Sequence, residues 1–170
     1  MKSSVYGYSI YKPTKKNTGA ALQFNPANDC SFVFLEIASQ DDGQSFDWEN
    51  KIVFKLNIND MILIIDCLNI IRTTKFKDLL KAAPTEYDEW MLNEMPDNKG
   101  ALLSIFHVDK KNRATASLTI KPNSSKYGGG FLLGLYKKFE DGNSNNHNIN
   151  ISPPEALGIV YTLEKCIFRR

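Results

Sequence analysis

Side chains able to do covalent or acid–base chemistry are few and scattered in this 170-residue sequence. His147 lies in an Asn/Gly-rich stretch and reads as a solvated loop residue. His107 falls on an expected strand, where a packed or hydrogen-bonded imidazole is a simpler reading than a catalytic one. Cys30, Cys67 and Cys166 are far apart and lack C-x-x-C spacing, which argues for a reducing compartment and against a disulfide framework or zinc site. Carboxylates cluster at Asp41 and Asp42 and again at Glu86, Asp88 and Glu89, without the ligand pattern that would converge oxygens on a divalent cation. The glycines Gly128–Gly130 open a strand and not a helix, so they lack the helix N-terminus that cradles phosphate. No metalloprotease, nucleophile-elbow or Walker motif occurs. The expectation is a protein that is not an enzyme and carries no metal or cofactor.

Binding chemistry is better represented. Lys12, Lys15, Lys16, Gln23, Phe34, Lys51 and Lys55 in the first half, with Arg113, Lys121, Tyr136 and Lys138 in the second, are the candidate nucleic-acid-binding residues. Ammonium and guanidinium groups attract phosphates, and rings offer stacking platforms for unpaired bases. A duplex hides its base faces, so a stacking surface implies a single strand. Net charge is only +2, yet the charge is segregated. Ala101 to Phe139 holds seven basic residues against Asp109 alone, whereas Pro84 to Asp97 has five acids and no Lys or Arg. A local basic footprint can sit inside a near-neutral total. The competing reading is that lysines on outer strand faces serve solubility and edge protection, and that Phe34 packs in a subunit interface.

The elements that would position these residues follow from periodicity. In "CSFVFLEIAS", Val33, Leu35 and Ile37 alternate with Phe32, Phe34 and Glu36. "KIVFKLN" sets Ile52, Phe54 and Leu56 against Lys51, Val53 and Lys55. "RATASLTIK" sets Ala114, Ala116, Leu118 and Ile120 against Arg113, Thr115, Ser117, Thr119 and Lys121. Further strands are expected at Val5–Lys12, Gly19–Asn25, Leu102–Asp109, Phe131–Phe139 and Asn148–Ile151. A helix over Asn57–Arg72 should turn Ile58, Met61, Ile62, Ile65 and Leu68 inward, with Asn57 as cap. "SPPE" predicts a second helix, with Ser152 as cap, proline at its first position and Glu155 closing a capping box. Ala156, Val160, Leu163 and Ile167 should line its buried face.

Four strands and a helix, twice over, make an α+β protein: a duplicated ββββα plan, with two antiparallel sheets packed with two helices. Residues 1–170 then form one domain of two halves, about 1–80 and 100–170. Thr73–Lys99 would connect them as an acidic segment, with short helical pieces around "KFKDLLKA" and "TEYDEWMLNEM".

"FDWENKIVFKLN" resembles the aromatic-Asp-Trp corner, basic residue and alternating strand of the Whirly family of single-stranded-DNA-binding proteins. "YKPTKKNTGAALQFNP" is similar to that family's tyrosine-lysine strand and its "K-A-A-L" segment, matched here by Gly19-Ala20-Ala21-Leu22. "FVFLEIAS" takes the place of its third strand, and "INISPPEALGIVYTL" that of its last strand and second helix. The resemblance runs from about Tyr8 onward, in order. It implies the duplicated plan shared with mitochondrial guide-RNA-binding proteins, a homo-oligomer with a tetramer favoured, held by the helices, and single strands lying across the sheets. Carried over, Lys12, Gln23, Phe34, Lys51 and Lys55 fall on candidate binding strands, while Asp47 and Trp48 match a structural corner. The sequence departs from the family where lysine-glycine-lysine is replaced by the longer "KPTKKNTG", and in its weakly matching second half.

The resulting expectation is a soluble intracellular protein that binds single-stranded DNA with little sequence specificity, in replication, recombination, repair or transcription. Two rivals stand beside it: an RNA-binding or annealing protein on the same fold, and a structural protein whose sheet faces bind protein. No apolar run approaches the length of a membrane span.

Overall fold

The computed structural model describes residues 7–73, 101–122 and 130–169. The expected acidic connection with its helical pieces, apart from Thr73, lies outside them, as do Lys126 and the first two residues of the glycine triplet.

Alternation of apolar and polar residues produces two separate sheets. The first pairs β1 (Tyr8–Lys12), β2 (Ala20–Pro26), β3 (Val33–Ser39) and β4 (Ile52–Leu56) in sequence order, and α1 (Ile58–Thr73) follows it directly. The second pairs β5 (Leu103–Asp109), β6 (Ala114–Pro122), β7 (Phe131–Phe139) and β8 (Ser144–Ile151), and α2 (Pro153–Phe168) follows. Every neighbouring pair is antiparallel. The duplicated ββββα plan expected from periodicity is the plan of the molecule.

Period-2 patterning gives each sheet one buried face, and these faces share a core with the helices. Ile10, Leu22, Phe24, Val33, Leu35, Ile37, Ile52, Phe54 and Leu56 come from the first sheet. Leu103, Ile105, Leu118, Ile120, Phe131, Leu133, Leu135, Ile149 and Ile151 come from the second. Full burial of one such side chain contributes about 1.5–3 kcal/mol, so this core dominates stability. One contact shows the sheets meeting: the His107 imidazole of β5 stacks on the Phe54 ring of β4, centroids 4.5 Å apart.

Both described helices start with reciprocal caps. Ser152 accepts from the Glu155 N–H, and Glu155 accepts from the Ser152 N–H at 2.8 Å, with prolines in the first turn of α2. At α1, Asn57 accepts from the Asp60 N–H at 3.0 Å and donates its own N–H to Asp60 at 2.9 Å. Caps of this kind contribute about 1 kcal/mol each. Within α2, the missing side chain of Gly158 admits the Tyr8 ring of β1, which a Cβ there would strike. Beside it, Lys12 and Glu155 form a 2.6 Å ion pair between β1 and α2.

Two expectations are corrected. The buried side of α1 carries Met61, Ile64, Cys67 and Leu68, while Ile62, Leu63 and Ile70 remain about half exposed. "MILIIDCL" is apolar on most sides, so periodicity could not select a face. Rotation is pinned by the buried Asp60, whose carboxylate takes the cap N–H and lies 3.2 Å from His107 Nε2. His147 is no loop residue: it sits on β8 opposite Leu135, half-buried. The polar run that reads as a turn is an edge strand, where polar residues on both faces discourage pairing with other chains. Burial holds the His147 imidazole below its ordinary value, partly offset by hydrogen bonds to the backbone of Asn50 and Asn146 and by the Asp47 carboxylate.

Candidate nucleic-acid interface

The register sorts each sheet's residues into a core face and an open face. On the first sheet, the cross-strand rows Ser9–Gln23–Glu36–Val53 and Asn25–Phe34–Lys55 are open. Tyr11, opposite Ala21, shares that face, and so by alternation does Lys51, just before β4. These side chains answer one another. Gln23 donates to the Tyr11 hydroxyl at 3.2 Å, and Asn25 donates to both Gln23 and Glu36 at 3.4 and 3.3 Å. Lys51 closes the chain with a 2.9 Å ion pair to Glu36. Phe32 and Phe34 stack edge to face at 4.9 Å, and the Lys55 ammonium sits 4.0 Å above the Phe32 ring. The surface has aromatic and basic residues, but they are largely engaged with each other.

The loops at one end of this sheet are stitched by a buried amide that the sequence does not advertise. Gln40 accepts from the Thr14 N–H at 2.8 Å and the Gly19 N–H at 2.9 Å, and donates to the carbonyls of Thr14 and Gly43. It therefore ties the β1–β2 turn, which carries Lys15 and Lys16, to the loop after β3. The aromatic-acid-aromatic corner follows that loop. Asp47 accepts from the Asn50 backbone N–H at 3.2 Å and the Asn50 side-chain amide at 2.8 Å, bonds that hold its carboxyl below the ordinary value. Phe46 reaches back to the Tyr11 ring at 5.8 Å.

The second sheet's open face is built from the rows Val108–Thr115–Lys138–Ser144, Phe106–Ser117–Tyr136–Asn146, Ser104–Thr119–Gly134–Asn148 and Lys121–Leu132–Asn150. Successive rows are about 7 Å apart along the strands. Phe106, Val108 and Tyr136 are 51%, 61% and 39% exposed, which is unusual for large apolar side chains in one patch. The strand residues of this face include no carboxylate, and its charges are Lys121 and Lys138. Arg113, Lys110 and Lys111 crowd the β5–β6 turn at its end, all exposed. Lys137 is on the opposite face, 3.6 Å from Asp109. The arrangement can stack unpaired rings and attract phosphate along strands that carry no carboxylate on this face, with Glu140 beside Arg113 at the turn end.

The structure therefore distributes the sequence candidates unevenly. Gln23, Phe34, Lys51 and Lys55 share the first open face, and Lys15 and Lys16 are exposed in the turn beside it. Tyr136, Lys138 and Lys121 share the second. Lys12 is on neither: it lies in the Tyr8–Ile10 register, on the helix side, with its ammonium on Glu155. Arg113 is not a strand residue but a turn residue with φ of 47°, its guanidinium 3.9 Å from Glu140. Phe106, Asn146 and Asn148 share the second face and were not among the sequence candidates. Alternation around Ile105 and His107 could have exposed Phe106, but the asparagines were hidden by the turn-like composition of β8.

No protein-family model matches the sequence, and no curated protein sequence does. Solved structures do. The plant transcriptional regulator PBF-2 aligns over 94% of this chain and 78% of its own, with a TM-score of 0.59 and 20% identity. WHY1 from Arabidopsis thaliana aligns over 94% and 81%, with a TM-score of 0.57 and 16% identity. A guide-RNA-binding protein complex bound to a guide RNA gives 96% and 94%, with a TM-score of 0.53 and 10% identity. At these identities the likeness is one of fold: the chain has the Whirly fold.

Proposed function

We propose that the protein is a single-stranded nucleic-acid-binding protein that takes single-stranded DNA on the open face of its second sheet. The observation that carries this reading is the row holding Phe106 and Tyr136, two exposed rings on a strand surface whose charges are all positive. Stacking contributes roughly 1–3 kcal/mol per base and tolerates any sequence. Lys121, Lys138 and the basic β5–β6 turn supply phosphate attraction, and Lys15, Lys16 and Lys55 extend it on the first sheet. The fold's recurrence in a transcriptional regulator and in a guide-RNA-binding complex supports nucleic acid over a protein ligand. The second of these keeps RNA as the alternative ligand.

The role would be to shield or present single strands during replication, recombination, repair or transcription, without catalysis, in a soluble intracellular setting. Among the described residues no helix is long and apolar enough to cross a membrane. Ile62, Leu63 and Ile70 on α1, with Tyr161 and Phe168 on α2, leave exposed apolar surface on both helices. That surface supports a homo-oligomer joined through the helices, tetrameric by resemblance, which light scattering on the eluting protein would measure. Fluorescence anisotropy of labelled single-stranded DNA across a salt series, with duplex and RNA competitors, tests the binding. Log affinity should fall by about 0.7 per log unit of salt for each phosphate neutralised. Binding that duplex displaces as readily as single strand would refute the reading.

A further inference from the structure

The second open face carries more than stacking surface. Asn146 and Asn148 occupy alternate positions of β8, exposed and directed to the same side. Asn146 is opposite Tyr136, and Asn148 is opposite Gly134, two residues along the same strand. Glycine at 134 has a steric reason. A Cβ there would lie 2.5 Å from Asn148 Oδ1 and 3.0 Å from Thr119 Oγ1. The Asn148 carboxamide thus lies over β7, toward Thr119 of β6, in space that any other residue would fill. It is brought in from the sheet edge, one cross-strand row along from Tyr136.

We propose that Asn146 and Asn148, with Thr119, form a base-edge-reading patch across two adjacent rows, so that a base stacked on Tyr136 is also recognised through its Watson–Crick edge. This rests on the single-strand reading above and deepens it. A carboxamide presents a donor and an acceptor side by side, the complement of the adjacent donor and acceptor on a base edge. Stacking alone is indifferent to that edge; paired hydrogen bonds are not. The occupant is an unpaired nucleobase with an unblocked edge, and the absence of carboxylates among the described strand residues of this face suits the phosphates that accompany it. Sheet 1 has amides too, but Gln23 and Asn25 are bonded to Tyr11 and Glu36.

The test compares labelled oligothymidylate with an equal-length oligomer of N3-methylthymidine, whose edge donor is blocked while its ring still stacks. At one salt concentration the protein should bind the first about tenfold more tightly. Asn146→Ala with Asn148→Ala should bring the ratio close to one by weakening only the unmethylated ligand. Gly134→Ala, which displaces the Asn148 amide without removing it, should lower the ratio in the same direction. Equal binding of both oligomers by the unaltered protein would overturn the proposal and leave single-strand binding standing. Loss of both ligands to the same extent in the double variant would also overturn it, because the amides would then serve backbone contacts. Failure to bind either oligomer would refute the single-strand reading itself.

Discussion

On the open face of β1–β4, Tyr11, Gln23, Asn25, Glu36 and Lys51 are linked by hydrogen bonds and one ion pair from β1 to the residue preceding β4. On the open face of β5–β8, Phe106 and Tyr136 are exposed, Asn146 is opposite Tyr136, and Asn148 projects over Gly134. Topology and strand order are the same in both halves. What differs is how far the side chains satisfy one another. A polar group already bonded within the protein must break that bond before it gains one to a ligand, so its net contribution to binding is small. The lesson is that a basic residue on the correct strand is not yet a binding residue. Lys51 beside Glu36 and Lys138 without an ion-pair partner among the described residues are chemically different surfaces.

The largest effect that would break this comparison is removal of the rings. Phe106→Ala with Tyr136→Ala should weaken single-stranded DNA binding about 30-fold or more, roughly 1–3 kcal/mol for each of two stacked bases at about 1.4 kcal/mol per decade. Phe34→Ala on the first sheet should cost less than about threefold. Equal losses in anisotropy titrations would make the two faces equivalent and the distinction wrong.

Next comes the amide that ties the first sheet's loops together. Gln40→Leu removes the acceptor for the Thr14 and Gly19 N–H groups, and should cost about 1–3 kcal/mol of stability. Thermal unfolding should show a Tm lower by several degrees. Affinity of the folded protein for single strands should not change by more than about twofold, because the second face is untouched. A large loss of affinity at unchanged Tm would instead place the β1–β2 turn, with Lys15 and Lys16, in the interface.

Glu36→Gln sharpens the comparison from the other side. Releasing Lys51 should strengthen binding about threefold and steepen the salt dependence by about 0.7, the increment for one more phosphate. If affinity falls, the Glu36–Lys51 pair is holding the strands in a shape that binding requires.

The smallest effect is a pH dependence at the seam between the halves. His147 is held below its ordinary value of 6.5 by burial, so the unfolded chain takes up the proton more readily than the folded one. Stability from this group is complete above that value and declines as pH falls below it. Denaturant titrations from pH 7 to 5 should show a shallow loss that His147→Gln removes. Glu155 behaves separately: burial raises its pKa, but Lys12 and Ser152 outweigh burial and hold it below 4.5. Its contribution is lost only as pH falls further, and Glu155→Gln, which can still close the capping box, should remove only the ion-pair part.

Strand alternation and caps were readable because they are local. Val33–Ser39 and Ala114–Pro122 state their buried face at every second residue, and "SPPE" specifies a helix start by chemistry within four residues. The rotation of α1 was not readable, since Ile58, Ile62 and Leu63 are as apolar as Met61 and Ile64. Nor was β8, whose "SNNHN" has the composition of a turn and becomes a strand through its ladder with β7. Lys12 and Arg113 were placed wrongly for different reasons. The first obeys alternation, but an ion pair to α2, 143 residues away in sequence, engages it. The second is one residue outside its strand, in a left-handed turn.

By itself, then, the sequence determined the elements, their order and the duplicated ββββα plan, because hydrogen-bonded strands and capped helices are set by neighbours along the chain. Which lysines are engaged, which rings are bare and that the Asn148 amide lies over Gly134 was decided only by the tertiary structure. Those properties depend on residues brought together across strands, and the partners of a side chain are set by register and packing, not by its own identity.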